Sequence, residues 1–100
     1  MITAAALTCP VIPQEKKLAM VAVDSFEKCV EMLKLAKGHF RDSLSAFEVM
    51  DRHSTMITFK AFPDGPKYPF SSEHPFSMLL EVEAYDENDP AEERLLAFLE

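Results

Sequence analysis

The segment FSMLLEVEAY, residues 76–85, alternates without a break. Phe76, Met78, Leu80, Val82 and Ala84 fall on one side, and Ser77, Leu79, Glu81 and Glu83 on the other. A two-residue period is that of an extended strand, and acids confined to one side mean that this side meets water while the other is buried. A strand wetted on one face belongs to an antiparallel sheet rather than to a parallel sheet covered on both faces. The chain must therefore supply other strands and a helix to cover the apolar side. Its 100 residues allow one small domain to do so.

The best-signalled cover is SFEKCVEMLKLAKG. At Asp24 the period becomes helical: Phe26, Cys29, Val30, Leu33 and Ala36 form one face, and Glu27, Lys28, Glu31, Lys34 and Lys37 the other. Asp24 with Glu27 three residues later predicts a capping box, and Gly38 predicts the stop, with Lys37 in the last turn. Ahead of this helix, Lys17–Val23 is a nearly continuous apolar strand. The earlier run ITAAALT predicts an edge strand that ends where Pro10 removes a donor.

After the helix, LSAFEVM predicts another strand, and DRHSTMITF is ambiguous, readable as a short helix beginning at Asp51 with Met50, Ser54 and Ile57 down one side. KAFPDGPKYPFSSEHP, with four of the seven prolines, is a loop of the length that tends to be functional or mobile. The final helix has Asp89 as cap, Pro90 at its first position and Glu92 three after the cap, with Leu95, Leu96, Phe98 and Leu99 toward the core. So apolar a helix, stopping at Glu100 with no polar tail, reads as cut short. The order β-β-α-β-(α)-β-α predicts the α+β class: an antiparallel sheet with helices on one face.

Charge excludes several functions. The net charge is −7, with acids crowded into residues 81–93, so the chain offers no positive surface for nucleic acid or an anionic membrane. No apolar run approaches a membrane span, and no basic residue precedes the apolar N-terminus as a secretory signal would require. Cys9 and Cys29 are isolated, which suits a reducing, intracellular setting.

Catalytic patterns are equally sparse. His39, His53 and His74 lack ligand spacing, so no metal site is expected, and the two glycines, Gly38 and Gly65, make no phosphate loop. The DRHS tetrad carries Asp, His and Ser, yet adjacency in sequence is not a triad. No catalytic residue is assigned. Glu48 is the exception to the bland reading: a carboxylate between Phe47 and Val49, with Leu44, Ala46 and Met50 expected on its own face. With apolar residues on both faces, the strand reads as central and partly covered on each side. Either Glu48 pairs with Arg41, Arg52 or Lys60 where the strand emerges, or Glu48 and Asp51 face a pocket completed by something outside the chain.

At LSAFEVMD, preceded by SFEKCVEMLKLAKG and followed by HPFSMLLEVEAYDENDPAEERLLAFLE, the residues resemble the C-terminal domain of the flavin-linked oxidases, in particular the D-lactate and D-2-hydroxyglutarate dehydrogenases. Members show a Ser-Ala-Phe/Tyr-Glu-Phe-Met-Asp strand, from which Val49 departs only in size. They also show Glu-Thr-Ser-Gly-Ser where this chain has EAYDENDP. The opening, ITAAALTCPVIPQEKKLAMVAV, resembles the start of that domain.

The resemblance implies that residues 1–100 are a single partial domain, the N-terminal part of a C-terminal cap of ferredoxin-like character. It implies a parent enzyme that oxidises a D-2-hydroxy acid to the 2-oxo acid, with FAD held mainly by an FAD-binding domain outside this chain. The family's metal-ligating histidines and substrate-binding Arg and Lys lie downstream, so the chain alone is expected to be inactive and to bind no cofactor. Glu48, Met50 and Asp51 become the candidates for the face toward substrate or flavin. The missing FAD-binding domain is the expected partner, together with a small 2-hydroxy acid and self-association into a homo-oligomer through exposed apolar strands. The setting is mitochondrial or cytoplasmic. A stand-alone α+β interaction module, of the kind some relatives' actin-interacting label suggests, is the competing reading.

Overall fold

The computed structural model describes residues 1–100. They run β1 (Glu15–Val23), α1 (Phe26–Phe40), a 3-10 turn (Arg41–Ser43), β2 (Leu44–Asp51), α2 (Arg52–Ala61), β3 (Phe76–Ala84) and α3 (Ala91–Leu99). The three strands make one antiparallel sheet in the order β1-β3-β2, as the α+β expectation required. The alternating strand β3 is its centre, and Met78, Leu80 and Val82 are wholly buried. Ala19 and Phe47 flank Leu80, and Val21 and Val49 flank Met78, so these residues share the covered face. Against them lie Cys29, Ala36 and Phe40 of α1 with Ala91 and Leu95 of α3. No residue of α2 enters this cluster; α2 packs on β2 and β3 instead.

Several local expectations shift. The predicted strand in ITAAALT does not form: residues 1–13 carry no helix or strand, and Met1, Ile2, Leu7, Val11 and Ile12 are exposed. Extended propensity alone does not make a strand; the segment forms one only where it pairs, and residues 1–13 pair with neither sheet edge. The cap of α1 is Ser25, not Asp24. Ser25 has extended backbone (φ −146°, ψ 157°), and its hydroxyl accepts from the Lys28 amide at 3.3 Å. Gly38 does not stop α1, which runs on to bury Phe40. The helix instead ends at Arg41, whose φ of 52° makes it the one non-glycine residue with positive φ.

At α3, Asp89 is not the cap. Its carboxylate lies 2.8 Å from Arg94 Nη2 and accepts from the Tyr85 amide, leaving Pro90 at the capping position with no side-chain hydrogen bond. Leu95 is buried, but Leu96 and Leu99 remain exposed. The loop expected between α2 and β3 is present as residues 62–75. It is tied down by aromatic contacts from Phe59 to Tyr68, Tyr68 to Phe70 and Phe70 to His74.

Candidate functional site

The second face of the sheet carries the residues that sequence reasoning singled out. In register, Met20 and Glu48 flank Leu79, Ala22 and Met50 flank Ser77, and Leu18 and Ala46 flank Glu81. Glu48 and Met50 therefore do share a face, with Ala46 between Glu48 and the acidic end. Leu44 does not join them. A bulge between Leu44 and Ala46 shifts the register, so Leu44 pairs with Val82 and packs into the core. The strand is also not central as expected: β2 pairs only with β3 and is an edge.

Glu48 is exposed, and no cation lies within ion-pairing distance of it. Arg52, one of its expected partners, instead lies 3.5 Å from Glu73. Glu48 thus projects from an apolar stripe of Met20, Leu79 and Met50 with its charge uncompensated by this chain.

The other end of the same face is a fixed polar cluster. Lys16 Nζ lies 2.8 Å from Glu81 Oε1 and 3.9 Å from Glu83 Oε1, Ser45 donates to Glu81 Oε1 at 2.6 Å, and Tyr85 donates to Glu83 Oε2 at 2.9 Å. The hydrogen bonds from Lys16 and then Ser45 hold the Glu81 carboxyl below its ordinary range. The same bond to Glu81 raises Lys16, and acceptance by Glu83 raises the Tyr85 hydroxyl. These groups satisfy one another and leave no free base or nucleophile.

Asp51 sits apart from Glu48. It pairs with Phe76, and its Oδ1 accepts from the Ser54 amide at 2.7 Å as the cap of α2, just where the sequence placed that helix start. That bond holds the Asp51 carboxyl below its usual value, with nearby His53 assisting. Asp51 also lines an open cleft of about 490 Å³ with Arg52, His53, Glu73 and Pro75. Two carboxylates against one guanidinium leave this cleft without the positive surplus that an acid substrate would need.

Of the three histidines, His39 packs its ring against Phe40 and Phe98 and bonds the Arg94 carbonyl at 3.1 Å. Sequence reasoning missed a contact at His74, whose two ring nitrogens approach Ser72 Oγ at 3.3 Å and Asp24 Oδ1 at 4.0 Å. The only signal for it was the Ser-x-His spacing. Asp24 is an exposed carboxylate shared with Lys28 at 3.5 Å, so it does not hold the ring as a triad aspartate would. No grouping of His, Cys, Asp and Glu forms a metal-binding set.

The residues do not fit FAD by themselves. A dinucleotide pyrophosphate needs free backbone amides at a helix N-terminus and a glycine that permits close approach. Here Ser25 closes the start of α1 and the Asp51 carboxylate closes that of α2. Glu92 and Glu93 place negative charge in the first turn of α3. Gly38 lies inside a helix, and a Cβ at Gly65 would meet only Phe62. The 490 Å³ cleft is walled by Asp51, Arg52, His53, Glu73 and Pro75, with no large apolar side chain to flank a flavin ring.

The family described as FAD linked oxidases, C-terminal domain, matches residues 12–100. A Schizosaccharomyces pombe protein named provisionally as a mitochondrial D-lactate dehydrogenase is 30% identical over 99 residues, which is 99% of this chain and 18% of that protein. The D-2-hydroxyglutarate–pyruvate transhydrogenase of Saccharomyces cerevisiae is 28% identical over 98% of this chain and 19% of its own length. The mitochondrial D-2-hydroxyglutarate dehydrogenase of Arabidopsis thaliana is 35% identical over 82% of this chain and 14% of its own. The chain thus spans less than a fifth of each of these relatives. No helix is long and apolar enough to cross a membrane. The chain belongs to the FAD-linked oxidases, within their C-terminal domain.

Proposed function

We propose that this chain serves as a cap element of a flavin-dependent D-2-hydroxy-acid dehydrogenase, oxidising D-lactate or D-2-hydroxyglutarate to the 2-oxo acid, with the flavin held by polypeptide outside these residues. The observation that carries the reading is the family match over residues 12–100, together with relatives named for those two acids. The fold supports it through its asymmetry: one sheet face is closed by α1 and α3, and the other presents Met20, Leu79, Met50 and Glu48. In this reading that second face turns toward the flavin-bearing body, Glu48 and Met50 line the contact, and Asp51 at its border shapes the wall by fixing α2. The chain alone binds no flavin and turns over no hydroxy acid. Two relatives are named as mitochondrial, and the same compartment is proposed for this protein.

The test is to recover the native polypeptide with an antibody raised against this chain, and to measure its mass and visible absorption on one sample. A polypeptide several times larger, with flavin absorbance bleached by D-lactate or D-2-hydroxyglutarate, is expected. A colourless product of this length overturns the assignment.

A further inference from the structure

The loop between α2 and β3, residues 62–75, is held from two sides. On one side it is tied to α2. Phe59 meets Tyr68 edge to face with centroids 5.5 Å apart, Tyr68 meets Phe70 at 5.3 Å, and Phe70 meets His74 at 5.6 Å. Where the loop ends, the Arg52 amide donates to the Pro75 carbonyl at 2.9 Å, and the Arg52 guanidinium lies 3.5 Å from Glu73. Of the groups in these contacts, only the His74 ring is of a type that changes charge between about pH 5 and pH 8.

On the other side the loop reaches Asp24, at the corner between β1 and α1. His74 Nδ1 lies 4.0 Å from Asp24 Oδ1, and Ser72 Oγ lies 3.3 Å from Nε2. The first distance is too long for a hydrogen bond, so the attraction is ionic and exists in full only when the ring is protonated. With the ring neutral, Nε2 accepts from the Ser72 hydroxyl and Asp24 faces an uncharged imidazole. Protonation keeps the Ser72 contact with its direction reversed and sets a cation against the carboxylate. Lys28 of α1 lies 3.5 Å from Asp24 Oδ2, the other oxygen, and leaves Oδ1 to the ring. The remaining charged or titratable groups nearby are Glu73 beside His74, and Arg52 and His53 at the start of α2.

Glu73 and Pro75 wall the open cleft opposite Asp51, Arg52 and His53, so whatever fixes His74 also fixes that wall. We propose that residues 62–75 are a strap, latched to the β1–α1 corner when His74 is protonated and released from it as pH rises. Release is local, because the ring contacts to α2 and the Arg52 contacts persist in both states. The latch needs no flavin and no hydroxy acid, so it stands or falls apart from the enzyme reading.

Limited proteolysis of this chain by a protease of broad specificity, at about pH 5.5 and pH 8, tests it. Each rate of cleavage within residues 62–75 is divided by that of a free peptide of the same sequence at the same pH, and the quotient reports how often the strap opens. Cleavage is expected to be about two- to fivefold slower at the lower pH, the size of effect an exposed ion pair supplies. Asp24→Asn and His74→Gln, both away from the core, are each expected to erase that ratio, and His53→Gln to leave it. Equal quotients at the two pH values in the unaltered chain would overturn the proposal. A ratio that survives Asp24→Asn would do the same, as would one that His53→Gln removes, because the titrating contact would then lie elsewhere. A ratio of the same size for cleavage inside α1 would mean global opening rather than a latch, and would equally overturn it.

Discussion

The covered and uncovered faces of β3 make a sharp quantitative comparison at two adjacent leucines. Leu80 is fully buried between Ala19 and Phe47 beneath the helices, whereas Leu79 points the other way, between Met20 and Glu48, and is only half-buried. Leu80→Ala removes three carbons, a transfer loss of about 2.4 kcal/mol at about 0.8 kcal/mol per group. A residual cavity of about 50 Å³ at about 24 cal/mol per Å³ adds about 1.2 kcal/mol, within the range found for such substitutions. The sum is about 3.6 kcal/mol, a large part of the roughly 5–15 kcal/mol that stabilises a domain of this kind. Leu79→Ala opens no closed cavity and gives up about half the transfer term, about 1 kcal/mol. Urea unfolding followed by circular dichroism on residues 1–100 measures both. Equal losses at the two positions would refute the reasoning, because they would mean that the Leu79 face is covered as fully as the Leu80 face.

Other positions test local assignments. Ser25→Ala is expected to cost about 1 kcal/mol through loss of the α1 cap, while Asp24→Ala costs much less; a reversed order in urea midpoints would return the cap to Asp24. Gly38→Ala places a Cβ where nothing lies within 4 Å, inside a helix, and is expected to stabilise by about 0.5–1 kcal/mol; destabilisation would mean that glycine ends the helix after all. Arg41→Gly should raise the melting temperature by relieving a positive φ of 52°, and a fall would refute that. Asp51 and Glu81 both have carboxyls held below their ordinary range by hydrogen bonds. Their contribution is therefore present above the unfolded-state value and lost as pH falls through the folded one. Asp51→Asn should flatten the acid limb of a stability–pH profile, and an unchanged limb would count against the cap.

What the sequence made legible follows from the range of the forces involved. The alternation of β3 and the periodicity of α1 are local patterns set by burial on one face, and both elements formed. The Asp51 cap was also local, a carboxylate three residues ahead of the amide it accepts from. Asp24 and Ser25 are both good caps one residue apart, and backbone geometry, not residue type, chose between them. Gly38 failed as a stop because burying Phe40 is worth about 1.5–3 kcal/mol against about 1 kcal/mol for a glycine in a helix. The bulge that moved Leu44 into the core, and the edge position of β2, depend on β3 partners 25 to 38 residues away in sequence and left no local trace. Asp89 failed as a cap for a local reason instead: Arg94, in the helix it would have capped, claims its carboxylate, and the Tyr85 amide takes the rest.

The charge on β2 now has a physical place. Glu48 stands on an edge strand beside an apolar stripe, and in water an exposed carboxylate there costs little and discourages pairing of that edge. The balance changes once another body covers the face. Desolvating an unpaired carboxylate costs several kcal/mol, more than Met20, Leu79 and Met50 together would return if the surfaces met imperfectly. A covering surface must therefore present a guanidinium, ammonium or strong hydrogen-bond donor opposite Glu48, or leave water beside it. The Lys16–Glu81–Ser45 cluster at the far end of the same face is already satisfied internally and can be covered without that penalty. Were another body to close over this face, Glu48 would decide which surfaces fit, and Met20, Leu79 and Met50 would supply the apolar contact.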